Sequence, residues 1–580
     1  MIPLTYIRTL IVLIFIALPA CMCSQNVDWL LHVYGISGSP LGPLTQQNSV
    51  RDAAGNIYLT SAIVDSMQFG PYAIHGSEFV PGVFLNAYYL AKLNPAGEPL
   101  WIKTFTGTGQ LTIYDMAADQ DGSVYFVGHL SGDIQVDTGM FVSNFSVGDM
   151  FLAKFDGMGD LQWVRMGDSQ PGFSSSNGRT IDISPNGDVV VGGYTQNHVL
   201  FSGITIDEAD NLFMASYTSD GDINWARSYG FADPLELHSD LKIDANNNIY
   251  WVGSTATNAS STVTTFDTIS YDPGTNSSFL AKFDEDGDIQ WLNSYGIDPA
   301  GFFSDVNATN LAVNRNNNRV SVAGTFTDTV TIGSTVLTEP YIVGDHLFVA
   351  TFDEQGTPIW VKQSHGPADG VDVFDVALNG AGDVFIASSV ASSTGLADFT
   401  VGEGGNVKSI VINGSPNGAL VKYKANGELD WIKGTGGFRL CELRSVNPVG
   451  ANTAIVTGIF TDSVQIGDST LMSTPRAASG NIFIASCNDG IANGIFSPQQ
   501  ADHGLEVYPN PASDNIAIQL DPKVRIAQLR LLDSQGKVLE MIDHPSHSVL
   551  ELSVETLPRG WYVVQTVGDK GVDAVKLLIQ

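Results

Sequence analysis

Seven times along this chain a short aromatic-aliphatic segment runs into a glycine turn, and in six copies a tryptophan follows the glycine in register. The clearest copy reads Ala281-Lys282-Phe283-Asp284-Glu285-Asp286-Gly287-Asp288-Ile289-Gln290-Trp291. The others end at Trp101, Trp163, Trp225, Trp360 and Trp431, each four residues after Gly97, Gly159, Gly221, Gly356 or Gly427. A fixed period of this kind is the mark of a repeat architecture, in which each unit buries its apolar face against the next. Trp29 stands near the start without the segment that normally precedes it. Residues 483–490 carry the segment at the other end, with Gly494 where a tryptophan belongs. The two half-copies are complementary, which predicts a circular array sealed by the N-terminal strand. From Trp29 the intervals are 72, 62, 62, 66, 69 and 71, averaging 67 residues per unit.

Each unit has a second turn upstream of the tryptophan segment. Examples are Asp52-Ala53-Ala54-Gly55, Asp119-Gln120-Asp121-Gly122, Ser184-Pro185-Asn186-Gly187 and Asn379-Gly380-Ala381-Gly382. The first residue is Asp, Asn or Ser, whose side chain bonds backbone two residues on. The fourth is Gly or Asn, which tolerate positive φ. Flanking stretches such as Ile57-Tyr58-Leu59-Thr60 and Val124-Tyr125-Phe126-Val127 are β-branched and aromatic, which predicts strands. Each unit reads strand, turn, strand, variable stretch, strand, turn, tryptophan strand. The surplus length falls between the second and third strands and predicts an extra hairpin on each unit. The expected fold is all-β: a seven-bladed β-propeller closed by an N-terminal strand, with the tryptophans packed between neighbouring sheets.

The recurrent Phe-Leu-Ala-Lys-Phe-Asp-x-x-Gly-x-Φ-x-Trp pattern resembles the repeats of bacterial seven-bladed β-propeller (SBBP) proteins over about residues 25–495. That resemblance implies an extracellular propeller and no particular activity. Past a linker at 496–504, residues 505–580 contain Tyr508-Pro509-Asn510-Pro511, then Gly560-Trp561-Tyr562 and the closing run Lys576-Leu577-Leu578-Ile579. This segment is similar to the type A C-terminal sorting domain of the Bacteroidetes type IX secretion system. The resemblance implies a small Ig-like β-sandwich read by the secretion machinery through Tyr508, Pro509, Asn510, Pro511, Gly560, Tyr562 and Lys576. It also implies release outside the cell or attachment to its outer surface.

The start of the chain agrees with export. Arg8 precedes an apolar run at 10–20 that is short for a membrane span and suits a signal peptide, expected at 1–24. Leu18-Pro19-Ala20-Cys21 loosely resembles a lipoprotein cleavage site, and ordinary cleavage is the favoured reading. No later run has the length of a transmembrane segment. A net charge of −34 argues against nucleic acid, where lysine and arginine must neutralise phosphates. After such cleavage the cysteines are Cys441 and Cys487, on a first and a third strand of one unit. Strands two apart are about 9–10 Å distant, which favours two buried thiols over a disulfide.

Seven residues before the left-handed turn position stand Asn48, Asp115, Asp240, Asn310 and Asp375, with Thr180 and Leu443 at the corresponding places of two units. If the first strand of each unit is innermost, these residues ring one mouth of the central channel. Such a ring suits a ligand-binding site, for a sugar hydroxyl network or a cation. The reading favoured over a ligand site is that each side chain caps its own loop by bonding backbone amides. Asp284, Asp286 and Asp288 have a calcium-loop spacing without the distal glutamate, so they read as a hairpin turn. No cofactor is expected, and calcium is the single cation the acidity brings into consideration. There is no Gly-x-Ser-x-Gly elbow, no His-Glu-x-x-His and no P-loop. The favoured function is a non-enzymatic module that binds a glycan or a surface protein. An extracellular polysaccharide hydrolase or lyase with its site at the channel mouth is the alternative, and a purely structural surface component is a third reading.

Overall fold

The computed structural model describes residues 27–488 and 505–579, apart from short intervening segments of which 36–46, 76–86, 231–238, 256–263, 296–304 and 473–480 are the longest. The expected leader at 1–24, the linker at 496–504, and Gly490 and Gly494 lie outside the described residues. Within them the chain is all-β, with no helix.

The strands upstream of the C-terminal segment group into four-stranded antiparallel units. The first joins Gln47–Arg51, Ile57–Ile63, Ala87–Leu93 and Pro99–Gly107 in that order. Units with the same order begin at Gln110–Ala118, Ser175–Ile183, Ser239–Ile243, Asp305–Asn314 and Gly370–Leu378. The last begins at Cys441–Pro448, continues through Thr453–Phe460 and Asn481–Asn488, and takes the N-terminal strand Val27–Gly35 as its fourth member. Trp29 thereby pairs with Ser486. Trp225 pairs with Ser216 and Trp291 with Lys282 in the same manner, each beside a bulge. The copy that is split in sequence is whole in space.

Apolar cores lie between the units. Tyr125, Val127 and Leu152 of the second unit pack with Ile181, Val189 and Phe213 of the third. Phe385 and Leu420 of the sixth pack with Val446, Val456 and Phe483 of the last. The last unit closes on the first through Val33, Ile455, Ile482 and Ile484 against Ile57, Leu59 and Tyr89. The first strands of successive units adjoin one another, and Cys441–Pro448 adjoins Gln47–Arg51.

The surplus hairpins are present, with a difference in placement. The hairpin of the first unit, Ser66–Phe69 with Tyr72–His75, pairs onto the N-terminal strand of the last unit. That of the second, Asp133–Val136 with Gly139–Val142, pairs onto Pro99–Gly107 of the first. Hairpins of the third and sixth units likewise extend the sheets before them. Each covers an outer strand edge that would otherwise offer unpaired N–H and C=O groups.

The tryptophan segment has a concrete function in this packing. Six of the seven repeat indoles donate from Nε1 to a carbonyl of the next unit: Trp29 to Pro95 at 3.2 Å, Trp101 to Gly157 at 3.1 Å, Trp163 to Ser219 at 3.1 Å, Trp225 to Glu285 at 3.0 Å, Trp291 to Glu354 at 3.1 Å and Trp360 to Ala425 at 3.2 Å; the buried Nε1 of Trp431 has no partner among the described residues. The acceptor lies two residues before the turn glycine of that next unit. The indole also covers this glycine, so a Cβ on Gly159 would sit 3.0 Å from the Trp101 ring and one on Gly427 2.7 Å from Trp360. The lysine of the segment serves the same carbonyls: Lys92 Nζ donates to Gly157 at 3.0 Å and Lys154 Nζ to Ser219 at 2.9 Å. Glycine, lysine and tryptophan recur together because one contact between units uses all three.

The C-terminal segment is a two-sheet sandwich. Glu506–Tyr508, Asn515–Gln519 and Val549–Ser553 form one sheet; Val538–Asp543, Ile526–Leu532, Gly560–Gly568 and Gly571–Ile579 form the other. Ile516, Ile518, Leu529, Leu531, Val564 and Leu577 share its core.

Candidate functional site

Most of the first strands carry a bulge on which the candidate ring depends. Residues Tyr114, Arg179, Thr309 and Phe374 are each the extra residue opposite an uninterrupted second strand, just before Asp115, Thr180, Asn310 and Asp375. A bulge bends its strand and re-aims the side chain there. In the last unit the extra residue is Arg444, so Ser445 is the equivalent of Asp115. The sequence count that placed Leu443 there is out of register by two, because the second turn of this unit begins at Val449, whose N–H bonds Thr453 O as Asp119 N–H bonds Ser123 O, and not at Asn447. Leu443 is instead a buried core residue.

The ring residues come together around one cavity of about 400 Å³, lined by Asn48, Asp115, Asp240, Asn310 and Asp375 among others. Their bonds run mainly to the neighbouring unit, not to their own loop. Asp115 Oδ2 accepts from Ile181 N at 2.9 Å, Asp240 Oδ2 from Leu311 N at 2.9 Å and Asp375 Oδ2 from Val446 N at 2.8 Å. The asparagines use their donor instead: Asn48 Nδ2 bonds Tyr114 O at 2.7 Å and Asn310 Nδ2 bonds Val373 O at 3.0 Å. The Thr180 hydroxyl lies 3.2 Å from both Asp115 Oδ2 and Asp240 Oδ1. Ser445 and Asn447 complete the circuit on Ser49, at 2.7 and 2.8 Å. The ring is a girdle of staples between adjacent first strands.

Burial governs its electrostatics. Asp115 is pushed up to about 6, chiefly by desolvation, with Lys242 and two backbone amides opposing. Asp375 is pushed up to about 7 by desolvation, which the Val446 amide only partly offsets. Burial alone would lower Lys242, but the carboxylates of Asp240, Asp115 and Asp182 outweigh it and hold its ammonium above the ordinary value. Lys242 Nζ lies 2.5 Å from Asp240 Oδ1.

Four cations in the lining, Arg179, Lys242, Arg315 and Arg444, fall outside the set read from sequence. Lys242 lies two residues after Asp240 and shares its side of the strand by simple alternation, so period two could have found it. Arg315 belongs to the turn Asn314-Arg315-Asn316-Asn317 and reaches back to Asp182 at 3.1 Å and to the carbonyls of Ile183 and Ile243. Arg179 and Arg444 occupy bulges, which no sequence signal marks. Each stacks on the bulge residue of the preceding unit that has one, Arg179 at 4.0 Å from the Tyr114 ring centre and Arg444 at 4.0 Å from that of Phe374.

The remaining candidates resolve into structure. Asp284 Oδ1 accepts from Asp286 N at 3.2 Å and Asp288 N at 2.9 Å, and Asp288 pairs with Arg227 at 2.8 Å. That stretch is a closed turn. Among the described residues no group of three His, Cys, Asp or Glu side chains is placed to hold a metal ion. Cys441 and Cys487 are free, buried thiols, both pushed up to about 12 by burial. In the sandwich, Tyr562 Oη donates to Pro558 O at 2.6 Å, and Gly560 pairs with Ile579 across the sheet. Tyr508 and Pro509 are exposed at its edge. Asn510 and Pro511 lie outside the described residues, as does the side chain of Lys576.

Residues 506–580 match the secretion system C-terminal sorting domain family. The chain is therefore an exported protein whose sorting domain directs it to secretion and attachment at the outer cell surface, handled by type IX secretion machinery. No helix among the described residues is long and apolar enough to cross a membrane. No curated protein matches the chain. Among solved structures it is similar to a protein of unknown function from Bacteroides caccae, at 12% identity over 60% of this chain and 89% of that one, with a TM-score of 0.28. It is similar also to an ulvan lyase described as a new family of polysaccharide lyase, at 10% identity over 80% and 91%, TM-score 0.35. A third is the exotype rhamnogalacturonan lyase YesX, at 10% identity over 94% and 91%, TM-score 0.26. Similarity at this level assigns neither a reaction nor a substrate.

Proposed function

We propose that residues 25–495 form a seven-bladed β-propeller, sealed by the N-terminal strand, that works at the cell surface as a non-enzymatic binding module. Its seat is the cavity ringed by the first strands. The observation that carries this reading is the commitment of the ring's carboxylates to the scaffold. Proton transfer needs an acid or base held close to the bond that changes and free to exchange its proton there. Asp115 and Asp240 instead accept bonds from backbone amides of the adjoining unit, and Asp240 also holds Lys242. What remains toward the cavity is recognition chemistry: amides, hydroxyls and guanidinium groups stacked on aromatic rings. A glycan array run beside a polysaccharide degradation screen, both on the exported protein, tests this. Binding without degradation is the expected result; degradation of any bound polysaccharide overturns it. Removing 505–580 is expected to leave the protein inside the cell.

One observation favours the second reading, a polysaccharide hydrolase or lyase. Asp375 lines the cavity with its carboxyl pushed up to about 7, a value suited to a general acid at neutral pH. Under that reading D375N abolishes degradation while leaving binding intact.

A further inference from the structure

We infer that this cavity takes an acidic saccharide, and that Arg179 grips its carboxylate or sulfate group. The inference rests on the binding reading above and adds the class of ligand.

Arg179 differs from the other cations of the lining. Lys242 is paired with Asp240, Arg315 with Asp182 and Arg444 with Glu442. Arg179 has no carboxylate within ion-pair distance among the described residues, and its buried Nε has no hydrogen-bond partner there. It lies over two rings instead, 4.0 Å from the centre of Tyr114 and 5.4 Å from that of Tyr194. In a chain with 61 acidic against 27 basic residues, a guanidinium without an acid is a placed charge. Stacking fixes the plane of the group, and a fixed guanidinium fork matches a planar or tetrahedral oxyanion through two parallel N–H donors. The bulge at Arg179 directs this residue to the cavity that it lines.

The carboxylates around it do not compete for that fork. Asp240 and Asp182 hold Lys242 and Arg315, while Asp115 and Asp375 accept from backbone amides. Four acids and four bases line the cavity, a local balance far from the net −34 of the chain. The rest of the lining includes Asn48, Ser239, Thr309 and Asn310, hydrogen-bonding groups suited to a hydroxyl-rich ligand more than to an apolar peptide side chain.

The test titrates the exported protein with oligogalacturonate, dextran sulfate, neutral dextran and poly-glutamate, for the wild type, Arg179→Met and Arg179→Lys. Arg179→Met keeps a flat-lying stem over Tyr114 without the charge, and a near-UV spectrum checks that each variant is folded. The expected result is binding of oligogalacturonate or dextran sulfate, weakened at least tenfold in R179M and less in R179K. Which of the two binds identifies the anion as carboxylate or sulfate. Equal binding by wild type and R179M, or binding of neutral dextran alone, overturns the inference and leaves the binding module standing. Equally tight, Arg179-dependent binding of poly-glutamate overturns the saccharide class. Failure of every probe here and on the array overturns both.

Discussion

The indole of Trp29 donates to the carbonyl of Pro95 at 3.2 Å, across 66 positions of the chain, and covers the backbone of Gly97. The same contact joins Trp101 to Gly157 and Trp163 to Ser219 within the continuous part of the repeat. At Trp29 it links the unit completed by the N-terminal strand to the unit that follows that strand in sequence. The first and last units are thus joined as any two neighbours are.

This contact makes the stability of the pair non-additive. A Cβ at Gly97 would lie 2.4 Å from the Trp29 ring, at a φ of +79° that L-residues rarely adopt. Trp29→Phe loses the hydrogen bond and costs about 1 kcal/mol. Trp29→Ala costs about 3 kcal/mol through lost packing, and Gly97→Ala about 2 kcal/mol or more through clash and backbone strain. When Trp29→Ala and Gly97→Ala are combined in one chain the clash is gone, so urea denaturation is expected to give less than the sum of the single losses.

Asp375 carries a pH dependence of defined sign. Its carboxyl stands at about 7 in the folded chain against an ordinary 3.8, because burial disfavours the charged form. The folded state therefore holds its proton more tightly than the unfolded state. Its contribution to stability is fully present below about pH 3.8 and is lost as pH rises through 7. Asparagine already occupies this position as Asn48 and Asn310, so D375N fits the girdle. Thermal melts are expected to show D375N more stable than wild type at pH 8, by about 1–3 kcal/mol, with the difference shrinking at pH 5.

The two buried thiols are inert in the native protein. Cys441 and Cys487 sit at opposite ends of their sheet, one paired with Phe460 and the other with Ala454. Both are fully or nearly buried and pushed up to about 12, which leaves almost no thiolate at neutral pH. A thiol reagent at pH 8 is expected to label neither residue until denaturant is added, and reductant is expected to leave the melting temperature unchanged.

The lysines of the repeat contribute unequally. Lys92 is buried, donates to Gly157 O at 3.0 Å and lies 4.9 Å from the Tyr58 ring centre. Lys154 makes the equivalent bond to Ser219 O in an exposed setting. Thr351 shows that threonine fits this position. Lys92→Thr is expected to cost about 1–3 kcal/mol and Lys154→Thr less than about 1 kcal/mol in urea denaturation.

Much of this was legible in the residues, because local chemistry repeats. Turn glycines, alternating strands and the complementary half-copies at Trp29 and residues 483–490 led to the observed strand pairing. The identity of the contact was not legible: sequence shows Gly97 and Trp101 as neighbours, whereas Gly97 is covered by Trp29 of the adjoining unit. Counting from turns locates the ring of Asn48, Asp115, Asp240, Asn310 and Asp375, and the same count misplaces Leu443 because the turn of the last unit starts at Val449, without the Asp, Asn or Ser that marks the other turns. The facing of bulged Arg179 and Arg444 is not legible in sequence, since a bulge breaks the alternation by which facing is judged. The extra hairpins are expected on their own units, whereas those of the first, second, third and sixth units extend their neighbours' sheets, a choice made by edge hydrogen bonds between segments distant in sequence.

Hydrogen–deuterium exchange on the intact protein tests the closure of the array most directly. Trp29 and Ser486 are paired, and the backbone of Val27–Gly35 shares its ladder with Asn481–Asn488. Amides in both segments are expected to be protected alike and to open together as denaturant rises. Exchange of 27–35 within seconds while 481–488 stays protected would contradict the closure.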